Sequence, residues 1–557
     1  MKVVIIGGVA GGATAAARIR RLDESAEIII YEKGNHMAYG TCGLPYFIGG
    51  IVEEIDNLLP QTPKSFWQRY RVDVRLQHEV IAINPEEKQI TVKNLNNDDV
   101  ITDSYDKLLL APGSKPVSTS LSNQDIEGVF QLHSIEDGLR IRDYIANHEP
   151  KSAVIVGGGY IGLEMAENLT NLGIKVTIVQ QSEQLMNTLD YDMAAFLQNR
   201  LRQKGIKLLL NTTVNSLEAY GNSINVYLKN QVSLPTDMVL LAIGVVPETS
   251  LAQSAGIKTG AKNSIVVNSK METSVEDIYA VGDAVEILNY INGKRALFAL
   301  AGPAHKQARV AADNICGGTS RYRGCIGTSV IKVFDMTIAS IGLTEKAAFD
   351  SGYDFCRIVL SPFSNAGFYP GSKTMTMKIV FERNSQRLLG AQILGYKGVD
   401  KRIDVLATAI YAGLRGSDLK DLDLAYAPPY SSPKDPINIA GCMIDNISSG
   451  KIRQFHYSQL MNLQPDDTVT LLDVRQSSEY AMGHVRGFIN IPLDELRERI
   501  SEINRNKPVF IICQSGLRSY LACCILRNLG YKCYNFSGGY RYYEIVNREK
   551  YPQSYLS

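Results

Sequence analysis

The chain reads as an α/β protein assembled from several open-sheet domains, and three stretches carry that reading. Residues 2–32 place the apolar run VVIIGG before an alanine-rich ATAAARIRR and then AEIIIYE. Residues 153–180, AVIVGGGYIGLEMAENLTNLGIKVTIVQ, repeat the same order. Residues 508–539, PVFIICQSGLRSYLACCILRNLGYKCYNFSGG, set strand, loop, helix and strand within about 30 residues. Strand, glycine turn, helix and second strand make a βαβ unit, whose two strands lie parallel.

Length and composition bound the rest. At 557 residues the chain has room for about three or four domains. It is 45% hydrophobic and 21% charged, ordinary for a globular protein. A formal net charge of +1 gives no broad electrostatic footprint for nucleic acid, and none is expected as a partner. The opening MKVVIIGG lacks the layout of a secretory leader. Apolar runs such as 108–111 and 238–243 are strand-length, well short of the ~20 residues that cross a bilayer. A cytoplasmic protein without membrane attachment is expected. The nine cysteines are odd in number and form no pair of C-x-x-C units, which argues against a disulfide framework and a structural metal site.

Each βαβ unit has the features that hold a dinucleotide. Gly7, Gly8, Gly11 and Gly12 let the backbone approach a pyrophosphate, and the helix N-terminus supplies N–H groups and positive dipole. Glu32, at the end of the second strand, can accept from a ribose hydroxyl pair. Val9 stands where the fingerprint asks for a second glycine. In the second unit Gly157, Gly159 and Gly162 complete the motif, and the strand ends in Gln180. An acid there points to NADH and a nearby arginine to NADPH. Gln180 does neither, but with no base following and Glu183 close by, NADH is favoured.

METSVEDIYAVGDAVE, 271–286, adds a strand ending at Gly282-Asp283. Together with the two glycine loops it resembles the second flavin motif of the two-dinucleotide flavoprotein disulfide reductases, where the aspartate contacts the ribityl chain of FAD. LLLAPGSKP, 108–116, resembles that family's A-T-G-S-x-P segment, with Pro112 for threonine, and AIGVVPET, 242–249, its return strand. The resemblance implies two Rossmann-like dinucleotide-binding domains: FAD on residues 1–115 and 255–325, NAD(P)H on 116–254. It also implies an α+β dimerisation domain at 326–447. Tyr160 resembles the aromatic that covers the flavin until nicotinamide displaces it; as plain packing it would simply open a helix.

AYGTCGLPYFIGG, 38–50, holds a single cysteine, Cys42. The glutathione-reductase branch has C-x-x-x-x-C here and a C-terminal His–Glu pair. This chain has Phe47 at the second position and YAPPYSSPKDPIN in place of the histidine. T-C-G-L-P-Y resembles the coenzyme A-disulfide reductases. Pro45 suits the first turn of a helix, and a helix N-terminus at Cys42 is expected to lower the thiol pKa. Two oxidised states stand open for Cys42: a mixed disulfide with a small thiol, or a sulfenic acid. The resemblance further implies proton-donating tyrosines from a partner subunit, matched by Tyr426 in LAYAPPYSS and by Tyr369 in AGFYPG, where Phe368 precedes it. Interface packing is the alternative for Tyr369. Arg18, Arg21 and Lys306 are candidates for coenzyme A phosphates, against ordinary solvated surface; His305 stands where many relatives carry asparagine.

After 448–450 the character changes. VTLLDVRQSSEYAMGHVRGFINIPL, 469–493, followed by the 508–539 stretch, resembles the rhodanese domain: L-D-V-R, E-Y, G-H, N-I-P, then C-x-x-G-x-R-S. That places an α/β rhodanese domain at 452–557. A loop curling from strand to helix around Cys513 points N–H groups at the sulfur, and Arg518 is expected to add a full charge, favouring a thiolate that carries a persulfide. Cys523 and Cys524 read as helix core, with a resolving role as the alternative.

The combination resembles coenzyme A-disulfide reductase–rhodanese fusions, also described as NADH-dependent persulfide reductases. It implies a homodimer in which NADH or NADPH reduces FAD, FAD reduces Cys42, and Cys42 reduces coenzyme A disulfide, coenzyme A persulfide or polysulfide. Two other readings stand beside it: an NADH peroxidase or oxidase using a Cys42 sulfenic acid, and a non-turnover redox sensor or sulfur relay.

Overall fold

A computed structural model describes residues 1–118, 125–221, 223–229, 232–464 and 468–551. The last six residues of the C-terminal domain as bounded above therefore lie outside the described residues. The chain divides into two compact units, one formed by 1–183 with 206–327 and the other by 184–205 with the remainder from 328.

The first unit contains two parallel sheets built on one plan. The first runs Asp73–Leu76, Glu27–Glu32, Lys2–Ile6, Lys107–Leu110, Ile278–Ala280. The second runs Lys207–Leu209, Lys175–Val179, Ser152–Val156, Met238–Leu241, Val129–Phe130. Central strands such as KVVII and SAVIV are apolar throughout because both faces of a parallel sheet are covered. Lys2 pairs with Glu27 and Ser152 with Lys175, so the glycine loops leave both sheets at the same register. Each sheet is accompanied by a three-stranded antiparallel meander, 78–104 and 214–236. There the alternation is plain: Ser223–Leu228 buries every second side chain. The first sheet's last strand arrives only after the second sheet is complete, so the second fold is an insertion into the first.

The helix Ala10–Leu22 is alanine-rich for a packing reason. Its buried face of Gly12, Ala13, Ala15 and Ala16 lies against Ala301–Ile315, which buries Ala304, Ala308, Ala311 and Ala312. Small residues on both sides let the two backbones approach closely. Arg20, buried at the C-terminal end, donates to the carbonyls of Glu24 (2.6 Å), Ala26 (2.7 Å) and Tyr70 (2.8 Å).

In the second unit a five-stranded antiparallel sheet runs Ser329–Val333, Met336–Gly342, Leu388–Gly395, Thr376–Glu382, Phe355–Leu360. Two of its three inner strands, Leu388–Gly395 and Thr376–Glu382, are buried almost end to end; helix Val399–Ala412 packs on Met336–Gly342 and Leu388–Gly395, and helix Tyr191–Gln203 on Leu388–Gly395. The helix Tyr191–Gln203 lies within the sequence range expected for nicotinamide binding, yet it packs with this unit. The C-terminal parallel sheet runs Gln454–Phe455, Cys533–Phe536, Val509–Ile512, Thr470–Asp473, Ile489–Asn490, with helices Leu517–Asn528 and Gly539–Lys550. No described helix is long and apolar enough to cross a membrane.

Candidate functional site

The two glycine loops are built alike. Gly7 has φ +96°, and a Cβ there would lie 2.2 Å from the Ala111 carbonyl oxygen; Gly157, at φ +111°, faces Ala242 at the same 2.2 Å. Cβ atoms on Gly12 and Gly162 would meet the carbonyl oxygens of Gly7 and Gly157 at 1.8 and 2.2 Å. These positions admit only glycine, so each helix starts directly under its strand end. Gly159 differs: a Cβ there meets nothing within 4 Å, leaving space where a ligand backbone could lie. Gly11 is close-packed on Val281 instead.

Glu32 accepts the N–H of Gly8 and of Gly34, each at 2.7 Å, which leaves lone pairs on both oxygens. Gln180 occupies the matching place: its carbonyl oxygen accepts the Gly158 N–H at 2.8 Å and its amide donates to Ser182 Oγ at 2.6 Å. The loop is thus closed in the same way by a neutral group. Asp283 sits in the turn Gly282–Ala284 and accepts from Ser114 Oγ at 3.3 Å, joining the 108–116 and 271–286 segments. Burial pushes its carboxyl up, against the Ser114 hydrogen bond. These residues suit FAD at the first loop and a nicotinamide dinucleotide at the second.

Cys42 lies in a short turn, Thr41–Gly43, ahead of the helix Leu44–Ile48 with Pro45 in its first turn. The thiol is exposed. Its expected low pKa is reversed: partial enclosure, then Glu164, then Asp283 push it up. A five-residue helix has little dipole to offer, and the charges facing the sulfur are carboxylates. Phe47 fills the second-cysteine position and is buried under the Arg142 guanidinium, 4.4 Å from its ring centre.

Sequence reasoning missed Glu164. It lies one helical turn beyond Tyr160 on Tyr160–Asn171, hence on the same face. Burial, reinforced by Glu167, raises its carboxyl to about 7, against a 3.5 Å hydrogen bond from Tyr46. Burial and Glu164 push the Tyr46 phenol up to about 12. The signal was present as an acid in an otherwise apolar IGLEMA, but only the fold brings it to Cys42.

Arg18, Arg21 and Lys306 lie on the packed helix pair Ala10–Leu22 and Ala301–Ile315. Arg18 is already paired with Asp313 at 2.7 Å, whereas Arg21 and Lys306 are exposed. His305 Nδ1 and Thr14 Oγ1 lie 2.6 Å apart.

In the second unit the structure brings together the loops of the two candidate tyrosines. The Ala366 N–H donates to Ser431 O at 2.9 Å, and Asn365 donates to Pro428 O at 3.1 Å. Tyr369 is 39% and Tyr426 46% exposed, beside still more exposed Phe368 and Tyr430, so the aromatic cluster faces outward. Buried Arg402, another residue not anticipated, pins both loops by donating to Ser364 O (3.0 Å), Tyr430 O (3.3 Å) and Asp435 (2.8 Å).

Cys513 ends the strand Val509–Ile512 and is 0% exposed. Its sulfur accepts the Gly516 N–H at 3.1 Å and the Ser519 hydroxyl at 3.2 Å. Gly516, at φ +97°, turns the loop into the helix Leu517–Asn528. Arg518 has a second partner that the sequence did not show: its fork bonds to Glu479, at 2.5 and 2.7 Å, which braces the loop, while its charge still interacts with Cys513. Asp473 and Arg475 form a buried pair at 2.8 Å, with Arg475 also 3.8 Å from the Tyr540 ring centre. Cys523 shares the core with Cys513 and accepts on its carbonyl from Cys533 Sγ at 3.3 Å; Cys524 is half-buried.

Comparison with known proteins agrees with this geometry. The family model for pyridine nucleotide-disulphide oxidoreductases matches residues 1–308, its dimerisation-domain model 328–435, and the rhodanese-like domain model 456–545. The coenzyme A disulfide reductase of Staphylococcus haemolyticus (strain JCSC1435) is 37% identical over 441 residues, 79% of this chain and 98% of that protein. The crystal structure of reduced Bacillus anthracis CoADR-RHD shares 42% identity with a TM-score of 0.96, covering 99% of this chain and 98% of that one. A NAD-dependent persulfide reductase from A. fulgidus shares 36% identity with a TM-score of 0.91, over 98% of this chain and 100% of that one. With a dimerisation domain and a rhodanese-like domain following its redox core, this chain belongs to the pyridine nucleotide-disulphide oxidoreductase family.

Proposed function

We propose that the chain is a cytoplasmic homodimeric reductase that uses NADH, or NADPH, and FAD to reduce coenzyme A disulfide, coenzyme A persulfide or polysulfide at Cys42. In this reading Cys513 carries sulfane sulfur to or from that reaction. The observation that carries it is one exposed thiol, with no partner cysteine at position 47, in a chain that also bears a sealed rhodanese sulfur loop. Relatives named coenzyme A disulfide reductase and NAD-dependent persulfide reductase support it.

Gly7, Gly8, Gly11, Gly12, Glu32 and Asp283 hold FAD; Gly157, Gly159, Tyr160, Gly162 and Gln180 hold the nicotinamide dinucleotide. FAD, when bound, passes two electrons between nicotinamide and thiol. Cys42 thiolate attacks one sulfur of the substrate, forming a mixed disulfide and expelling a thiolate. Two electrons then cleave that disulfide, returning Cys42 and releasing the second thiol or sulfide. Glu164 takes or gives a proton near neutral pH beside Cys42. Tyr426 and Tyr369, on an outward-facing cluster, protonate leaving thiolates of a second subunit's site. Arg21 and Lys306, and Arg18 through its exposed edge, attract coenzyme A phosphates. NADH is favoured over NADPH because Gln180 brings no positive charge to the ribose position.

The test replaces Cys42 with serine and follows NADH oxidation with coenzyme A persulfide and coenzyme A disulfide. Turnover is expected to fall to background; undiminished turnover overturns the assignment. Faster wild-type turnover with peroxide or oxygen than with any sulfur substrate overturns the choice of substrate class.

A further inference from the structure

The Cys513 loop closes against one corner of the chain, Ser537–Tyr542, and that corner is tied from outside its own domain. Gly538 and Gly539, at φ +98° and +76°, carry the chain from the strand Cys533–Phe536 into the helix Gly539–Lys550. A Cβ on Gly539 would lie 2.6 Å from the Gln514 carbonyl oxygen and from the Ser515 nitrogen. Only glycine lets the helix start so close to the loop backbone. The Tyr540 N–H then donates to the Cys513 carbonyl at 2.7 Å, and the Arg541 N–H to the Gln514 carbonyl at 3.3 Å. The inner side of the corner therefore grips the backbone that aims the Gly516 N–H and the Ser519 hydroxyl at the sulfur.

The outer side of the corner is held by other elements. Ser537, 2% exposed, accepts the Val359 N–H on its hydroxyl oxygen at 2.9 Å, and so joins the strand Phe355–Leu360 of the antiparallel sheet. Tyr542, 3% exposed, sends its phenol to Asp192, which Lys378 of the same sheet holds at 2.8 Å. The Tyr542 ring lies against the corner: a Cβ on Gly538 would come within 2.8 Å of its Cγ and Cδ1. Phe196 of the helix Tyr191–Gln203 is 6.2 Å from the same ring, centre to centre. Contacts thus run from Lys378 through Asp192, Tyr542 and Gly538–Gly539 to the Cys513 loop. Phenylalanine would fill the same space, and Asp192 already receives Lys378 on both oxygens. What the hydroxyl adds is direction: one bond that fixes the ring, and with it the corner, relative to the sheet.

We propose that Tyr542 is a positioning residue for Cys513, its phenol seating the Gly538–Gly539 corner so that the antiparallel sheet, and not the sulfur-carrying domain alone, holds the loop in place. The part this plays in sulfur transfer rests on Cys513 being a sulfur carrier; the seating of the loop does not.

The experiment uses the full-length, FAD-loaded protein and compares Tyr542→Phe with Arg202→Met. The first removes only the phenol; the second breaks the Arg202–Glu549 pair, 3.0 Å, at the far end of the same helix. Amide hydrogen exchange at Gly516 and sulfur transfer from thiosulfate to cyanide are measured on both, with thermal unfolding alongside. Losing the phenol is expected to speed exchange at Gly516 by about three- to tenfold, the effect of weakening one hydrogen bond. It is expected to lower kcat for transfer by a similar factor, with KM for thiosulfate changed by less than about twofold. Arg202→Met is expected to leave both readouts at wild-type values, whatever it does to the unfolding temperature. Where Tyr542→Phe fails to fold, Ser537→Ala loosens the same corner through the Val359 bond and is expected to act alike. Unchanged exchange at Gly516, or an equal change in both variants, overturns the proposal, and so does faster exchange with an unchanged kcat. A wild type that transfers no sulfur, with exchange still faster in Tyr542→Phe, upholds the seating of the loop and rejects the sulfur-carrier reading.

Discussion

Replacing Lys378 with methionine tests how the second unit is held together. Lys378 is 1% exposed, and its ammonium meets Asp192 at 2.8 Å, Asp190 at 3.0 Å, and Glu345. Arg357 pairs with Glu345 at 2.8 Å, and the Tyr542 phenol, on the C-terminal helix, bonds to Asp192. Three carboxylates are met by two cations, and the variant leaves one. Removing one partner from a buried pair costs about 3–5 kcal/mol, and three acceptors losing a donor put this case at the upper end. At roughly 2–4 °C per kcal/mol for a domain of this size, the unfolding temperature should drop by about 10 °C or more. The pH dependence follows from Asp192. Burial pushes its carboxyl up, but Lys378, helped by the Tyr542 hydrogen bond and by Arg357, holds it below the usual carboxylate range. Without Lys378, burial raises the folded-state value above the unfolded one. Stability is then present at low pH and lost as pH rises through that raised value. The variant's deficit should therefore be full at neutral pH and shrink as the carboxylates protonate. Urea unfolding followed by circular dichroism, at neutral and mildly acidic pH, measures both. A variant within about 1 kcal/mol of wild type at neutral pH would show that the cluster does not hold the sheet, the helix Tyr191–Gln203 and the C-terminal domain together.

Three other outcomes follow from the sites. Glu164→Gln removes a carboxylate that pushes the Cys42 thiol up, so the pH midpoint for iodoacetamide alkylation of Cys42 should move down; an unmoved midpoint dismisses Glu164 as an influence. The carboxyl titrates at about 7, so the difference should be largest above neutral pH and vanish as Glu164 protonates in the wild type. Gly12→Ala puts a methyl 1.8 Å from the Gly7 carbonyl oxygen, and purified protein should lose most of its bound flavin absorbance; full flavin content would contradict the loop assignment. Ser519→Ala removes a 3.2 Å hydrogen bond to the Cys513 sulfur, worth about 1 kcal/mol, so sulfur transfer should slow by roughly five- to tenfold, and an unchanged rate would show that the hydroxyl is idle.

What was legible in the sequence was local. Glycine positions fix where a backbone must pass close to a neighbour, and Gly7, Gly12, Gly157 and Gly162 do so at the predicted turns. The C-x-x-G-x-R-S loop likewise forms between strand and helix as read. Long-range pairing was not legible. Arg518 reaches Glu479 across 39 positions, and that separation hid the carboxylate that shares its charge with Cys513. Arg402 binds loops 28 to 38 positions away on either side, and no local pattern marks it. Cys42 was misread because a proline-led helix start is a local signal, whereas the sign of the field at the thiol is set by Glu164 and Asp283, brought in from distant segments. The grouping of 184–205 with the second unit is of the same kind: an amphipathic helix shows in sequence that it has a buried face, but not which sheet covers it.

The two sulfur centres solve opposite problems, and their surroundings say which problem each has. Cys513 is sealed and receives an N–H and an O–H, an arrangement that stabilises negative charge on a small sulfur group and keeps bulky thiols away. Cys42 is exposed, and the protein offers it carboxylates rather than donors. An exposed thiol can reach a large disulfide, but one whose ionisation is discouraged would be a poor nucleophile if it acted unaided. The field at Cys42 therefore pushes the thiol up, and buried Glu164, itself raised to about 7, is the foremost of the charges that do so. We propose that this buried glutamate takes the proton from Cys42, the task that falls to the histidine in the two-cysteine relatives. In the proposed function the outward tyrosines then have the separate task of protonating what Cys42 expels.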